Sequence, residues 1–370
     1  MSSYSSIGKA GILPAQDIRA LHATGVIVAD RPFAEGQVQP ASLDLRLGRR
    51  VWRVRASFLP GPDRAVKDRL DRIALHEIDL THGAVLETGA VYIAEILESL
   101  ALPKDILASA NPKSSTGRLD VFTRVIADHA QEFDQIEAGY HGPLYLEISP
   151  RTFPVLVRTG SRLSQVRFRR GLVRLDDTEL RALHARDRLV TSAEPSIQNG
   201  IAVSVDLSGF GDTQLVGYRA KRHTALVDVD RVGGYDVDDY WDPLYVRKDR
   251  DIILDPGQFY ILASKEAVHV PPDHAAEMTP FDPLVGEFRV HYAGFFDPGF
   301  GHAGSGGSGS RAVLEVRSRD VPFILEDGQT VGRLVYERMA ALPDMLYGKD
   351  LGSNYQAQGL KLSKHFKAGS

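Results

Sequence analysis

The stretch Lys113-Ser114-Ser115-Thr116-Gly117-Arg118 packs hydroxyls, a glycine and two cations into six residues, directly after the turn signal Asn111-Pro112. A tight turn of that composition can aim backbone N–H groups, hydroxyls and a planar guanidinium at one anion. The same composition suits an ordinary surface loop, so its weight depends on what surrounds it. The histidines offer no metal site: His129, His141, His291 and His302 stand near other motifs, none with a partner at ligand spacing. Zero cysteines exclude the zinc-dependent nucleobase deaminases, which need a Cys-x-x-Cys pair beside a His-x-Glu.

The chain that must position this turn has 370 residues, 43% of them hydrophobic, enough for two domains with real cores. A formal net charge of −4 gives no electrostatic reason to expect nucleic acid or an anionic membrane as partner. No apolar run approaches the ~18 residues of a membrane span. Met1 to Gly11 is Ser/Gly-rich and lacks the apolar segment of a signal peptide, which points to the cytoplasm.

The sequence repeats itself. Arg19-Ala20-Leu21-His22-Ala23 returns as Arg181-Ala182-Leu183-His184-Ala185, an offset of 181 less 19, or 162 residues. Ser42-Leu43-Asp44-Leu45 is matched by Ser204-Val205-Asp206-Leu207 at the same offset. Leu146-Glu147 pairs with Leu314-Glu315, and Gly160 and Phe168 pair with Gly328 and Tyr336, at 168. Collinear matches with a small drift mark a duplicated domain. Each half alternates apolar and polar positions: Leu144 to Ile148 and Leu163 to Phe168 in one, Val313 to Val316 and Val331 to Tyr336 in the other. Helical periodicity is confined to the repeat starts, with a weaker trace over Leu102 to Ile106. The pattern predicts two antiparallel β-barrels or sandwiches, each opened by one helix. Boundaries fall at residues 1–171, 172–340 and a tail over 341–370. The run Gly301 to Ser310 ends in Arg311 before a strand, not in Gly-Lys-Ser/Thr before a helix, and reads as a hairpin loop.

Three motifs in order carry a family resemblance: Gln39-Pro40-Ala41-Ser42-Leu43-Asp44-Leu45, then Lys113 to Arg118, then Gly142-Pro143-Leu144-Tyr145-Leu146-Glu147. Together they resemble dCTP deaminase of the dUTPase-like superfamily. Ala293-Gly294-Phe295-Phe296-Asp297-Pro298-Gly299 is similar to that family's pyrimidine-holding hairpin, and Tyr347 with Asn354 to Lys364 to its nucleotide-closing tail. The resemblance implies two distorted β-barrels of the β-clip type and zinc-independent hydrolysis of dCTP to dUTP and ammonia. It implies Mg²⁺ carried by the triphosphate, possible binding of dUTP or dTTP, and a homo-oligomer with sites between barrels.

On the matching positions, the catalytic candidates are Glu315, Glu147, Ser114 and Arg118. The substrate-binding candidates are Lys113, Ser115, Ala293, Asp297, Gly299, Tyr347 and Gln358. A partly buried glutamate with a raised pKa can take a proton from water and pass it to the ring and the leaving amine. Left alone, either Leu-Glu pair reads as a solvent-facing strand position. The motifs are lost in a complementary way. Thr279-Pro280-Phe281-Asp282 stands where the second half would carry an anion turn, and Glu137-Ala138-Gly139 where the first would carry Asp-Pro-Gly. The first half therefore keeps the turn, the second keeps the hairpin and tail, and Glu315 is favoured over Glu147. The rivals are a dUTPase or bifunctional enzyme releasing dUMP, kept alive by Asp297, and a non-catalytic nucleotide-binding assembly protein.

Overall fold

The structure is a computed structural model. It describes residues 9–210, 213–280, 288–290, 294–303, 308–318, 320–348, 351–352 and 359–367. It is mainly β. In the first half one sheet runs in the order Val121–Ala127, His141–Pro150, Val91–Ala101, Leu43–Val54, Arg162–Arg170, Leu107–Pro112, Gln135–Ile136. The helix Ala15–Ala23 opens it and buries Ile18 and Leu21. In the second half Asp177–Asp187 does the same with Leu180 and Leu183. That helix starts where Asp176 accepts from the Thr178 and Glu179 amides while Glu179 reaches back to the Asp176 amide, a reciprocal cap.

The second half repeats the scheme in two sheets. Thr330–Arg338 lies between Ile201–Ser204 and His274–Pro280, and Ser310–Ser318 lies beside Phe259–Val268. The glutamate strands differ from their expected pattern, because every residue from Leu144 to Pro150 is buried. Both faces of the strand are covered, so its alternation does not mark water. Two other departures are local. Leu102 to Ile106 forms a turn, with the Ile106 amide bonded to the Pro103 carbonyl at 3.2 Å; Pro103 ends the strand and five residues suffice for the reversal. An unexpected helix, Val66–Ile73, buries Val66 and Leu70.

The halves do not keep separate cores. Val227–Asp228 of the second half pairs in parallel with Val155–Val157 of the first, which also pairs with Ala84–Leu86. Phe153 packs edge-on against Tyr240 at 5.6 Å and Trp241 at 5.4 Å, and Phe366 from the tail joins them at 5.3 Å from Tyr240 and 5.8 Å from Trp241. Leu362 and Phe366 belong to the same buried cluster as Leu45 and Val166. The long run after Phe300 closes on itself where the Gly309 amide meets the Gly301 carbonyl at 2.9 Å. Gly301 has φ +63, and a Cβ there would stand 2.1 Å from the Val268 carbonyl oxygen. Residues 304–307 of this run lie outside the described residues.

Candidate active site

The anion turn is one helical turn, Ser114–Gly117. It hangs from the barrel where the Lys113 amide donates to the Leu163 carbonyl at 3.0 Å. Its own carbonyls take up the amides of Thr116, Gly117, Arg118, Leu119 and Asp120. Those five amides are satisfied inside the turn. Side chains remain. Ser114 is exposed, whereas Ser115, Thr116 and Arg118 are buried.

Arg118 points across the junction between halves. Its Nε lies 3.9 Å from Glu315 Oε1, and its Nη1 donates to the Lys361 carbonyl at 2.9 Å. Glu315 stands in mid-strand opposite Ile261, 5% exposed. Burial pushes its carboxyl up to about 7, and the Arg118 cation pulls against that rise. A carboxyl poised there can both accept and release a proton near neutrality.

At the other end of the turn Lys113 Nζ donates to Asp44 Oδ1 at 2.5 Å, with Arg162 at 3.6 Å from the second oxygen. Asp44 belongs to the Ser42-Leu43-Asp44-Leu45 motif, whose buried strand holds it beneath the turn. The hairpin arrives on this side. Asp297 is gripped by Arg167 of the first half, whose Nη2 lies 3.3 Å from Asp297 Oδ1 and whose Nη1 lies 3.3 Å from Glu337 Oε2. The Arg167 guanidinium lies 4.0 Å from the centre of the Phe295 ring. Burial raises Asp297, while Arg167 and Lys113 lower it. Gly299, at φ +95, donates its amide to the Val270 carbonyl at 3.0 Å, and Tyr347 donates its own to Pro298 at 3.0 Å. Ala293 and Gln358 lie outside the described residues.

The tail lies against the turn. Ser363 Oγ donates to the Ser115 carbonyl at 2.8 Å and also meets His365 Nδ1 at 2.8 Å, while His365 Nε2 meets the Val229 carbonyl. Lys361 is lowered by burial and by Arg118; Lys364 is lowered by burial, then by Lys113 and Arg162. Like charges so crowded favour an anion among them.

Glu147 is differently placed. Its Oε1 accepts from Arg124 Nε at 3.0 Å and Nη2 at 2.7 Å, and Ser57 donates to its other oxygen. Arg124 in turn stacks on Phe133 at 3.5 Å and Phe122 at 4.8 Å. The solvent-facing reading fails for both glutamates, which are 2% and 5% exposed. Sequence reasoning passed over Arg167, Arg124 and the anchor Phe366. Arg167 is revealed only by Asp297 and Glu337 of the other half, and Arg124 only by Glu147 on the neighbouring strand.

Among the described residues no group of three or more His, Asp or Glu could hold a metal ion. No helix among them is long and apolar enough to cross a membrane.

Known proteins bear on both halves. The description "2'-deoxycytidine 5'-triphosphate deaminase (DCD) N-terminal domain" fits residues 9–172, and its C-terminal counterpart fits residues 176–366. A crystal structure of 2'-deoxycytidine 5'-triphosphate deaminase from Agrobacterium tumefaciens superposes with a TM-score of 0.86 and 65% identity, over 90% of this chain and 99% of that one. A "dCTP deaminase, dUMP-forming" from Leifsonia xyli is 30% identical over 58% of this chain and 100% of its own length. A "dCTP deaminase" from Shewanella amazonensis is 31% identical over 41% of this chain and 79% of its own.

Proposed function

Because this chain belongs to the 2'-deoxycytidine 5'-triphosphate deaminase family, we propose that it works through one site assembled from both halves, with Glu315 as proton shuttle. The chain is a hydrolase acting on the cytosine C4–N bond of dCTP. The observation that carries the site is the Arg118–Glu315 approach of 3.9 Å beside a carboxyl raised to about 7.

In this reading Glu315 takes a proton from water as the water oxygen bonds to C4. It delivers that proton to N3, then carries the second proton from the C4 hydroxyl to the amine, so that C4–N breaks as C4=O forms and ammonia leaves with dUTP as co-product. Ser114 and the carbonyl of Ala293 hold the water, and Arg118 stabilises the charge that develops. Lys113, Ser115, Asp297, Gly299, Tyr347 and Gln358 hold the nucleotide. Mg²⁺ enters with the triphosphate as part of the substrate. The cations Lys113, Arg118, Arg162, Lys361 and Lys364 support a polyphosphate ligand, since their mutual repulsion is relieved when it binds.

A second reading adds pyrophosphate release to give dUMP. It is favoured by the relatives named as dUMP-forming and by Asp297. Incubation of the purified chain with dCTP and Mg²⁺, with ammonia, dUTP and dUMP followed separately, decides between them. Ammonia with dUTP supports the deaminase alone, and dUMP supports the second reading. No ammonia leaves only a nucleotide-binding role. We place the activity in the cytoplasm and propose that chains self-associate. Light scattering that shows a fully active monomer would dismiss the association and leave the site intact.

A further inference from the structure

Arg118 and Glu315 belong to different halves, and nothing in either motif alone sets their distance. Two residues further along each segment a second pair crosses the same junction with its charges reversed. Arg317 Nη2 donates to Asp120 Oδ2, and the two side chains are 11% and 1% exposed. Residues two apart on a strand share a face, so Glu315 and Arg317 both face the first half. Asp120 closes the anion turn, its amide bonded to the Gly117 carbonyl at 2.8 Å.

The surroundings make this pair rigid. Thr152 Oγ1 donates to Asp120 Oδ2 at 2.5 Å, Arg317 Nη2 lies 3.0 Å from that hydroxyl, and Arg317 Nη1 donates to the Gly257 carbonyl at 2.5 Å. The Asp120 carbonyl takes the Arg151 amide at 2.9 Å. Asp120 holds φ +56, a left-handed conformation that glycine adopts without penalty and an aspartate does not. Such strain persists where surrounding contacts over-determine it. The pair is also absent from the other half: the residue two beyond Glu147 is Ser149.

We infer that Asp120 and Arg317 are positioning residues, an ion pair that fixes the anion turn against the glutamate strand and so sets the separation of Arg118 from Glu315. Neither is among the residues assigned to the nucleotide or to the reacting water. The inference rests on the site proposed above, and it predicts a particular failure when the pair is broken. Arg118 retreats, Glu315 loses its cation, and the carboxyl holds its proton to higher pH.

Asp120→Asn is the sharpest variant, because asparagine tolerates the left-handed conformation and can still accept from Thr152. The pair as a positioning device requires kcat to fall at least ~10-fold, about 1.4 kcal/mol in the barrier, with KM within ~3-fold. It also requires the Glu315 carboxyl, followed by carbon-13 NMR of labelled glutamate in the nucleotide-free chain, to titrate above about 7. Arg317→Lys keeps the charge but loses the fork, and should show both effects more weakly. If Asp120→Asn does not fold, Arg317→Lys carries the test with the same two readouts. Unchanged kcat and an unchanged Glu315 titration in a folded variant would overturn the inference. A wild-type chain inactive on dCTP would instead overturn the proposed site, while the NMR titration still judges the pair.

Discussion

Arg118 and Lys361 meet through one hydrogen bond, guanidinium to backbone carbonyl at 2.9 Å, across 243 positions of sequence. The same guanidinium faces Glu315. One side chain thus touches the candidate acid–base group and the segment that shuts the site, so the state of the tail bears on the state of the carboxyl.

The two glutamates should separate cleanly. Glu315→Gln is expected to lose at least ~100-fold in ammonia release while dCTP still binds, as for removal of a general acid–base. Glu147→Gln should lose far less activity. It should instead lose stability, because Arg124 would be left facing a neutral amide. Steady-state kinetics and urea denaturation of both variants test this. A dead Glu147→Gln beside an active Glu315→Gln would move the site to the first barrel.

Arg118→Ala should reduce kcat/KM by about 2–4 kcal/mol, from the lost contact to phosphate or to the reacting water. Because Arg118 is buried and bonded to the tail, its removal should also lower the melting temperature. Near-normal turnover in this variant would contradict the site.

Phe366→Ala removes a ring from among Phe153, Tyr240 and Trp241 and should cost about 3–5 kcal/mol of stability. Whatever remains folded should show a raised KM for dCTP, since Ser363 and Lys361 lie just before the lost anchor. Denaturant midpoints together with KM test this. A KM unaffected at a temperature where the variant is folded would show that the tail does not depend on its anchor.

Stability should carry a signature of the buried carboxyls. Glu315 keeps its proton to about 7 when folded and releases it near 4.5 when unfolded; Asp134, also raised by burial to about 7, compares with 3.8. Between those values the folded chain binds the extra proton, so each group makes stability fall as pH rises through the window. His365, lowered by burial to about 4 from 6.5, acts in the opposite direction over the acid end. The test is therefore a difference. Glu315→Gln should be stabilised relative to wild type by on the order of 1–3 kcal/mol more at pH 8 than at pH 5. An equal difference at both pH values would mean that the carboxyl is ionised throughout.

How much of this was legible depends on range. Leu21 and Leu183 face the two cores because a five-residue repeat on a helix can be read locally. Glu147 and Glu315 stand as a matched pair in the sequence, and the complementary motif losses favour Glu315, but the cations that distinguish them, Arg124 on the neighbouring strand and Arg118 after the anion turn, show only in the packed chain. Nothing in the local sequence marks Asp120. Its φ of +56 and its bond to Arg317 exist only once the halves are packed. The helix Val66–Ile73 could have been found from the spacing of Val66, Leu70 and Ile73. Val227–Asp228 could not, because a two-residue strand exists only through its neighbour.

That neighbour has a consequence at the level of the gene. A duplicated coding region can in principle be cut back into its two parts, each encoding a self-sufficient product. Here the strand Val155–Val157 takes its outer partner from beyond the cut, and Phe153 takes Trp241 and Phe366. A fission product ending near Gly171 would expose an unpaired strand edge and an aromatic face, the conditions for aggregation. The second fragment would lack the surface that receives its tail. The two fragments should therefore be rescued only by co-expression, as complementing pieces of one fold.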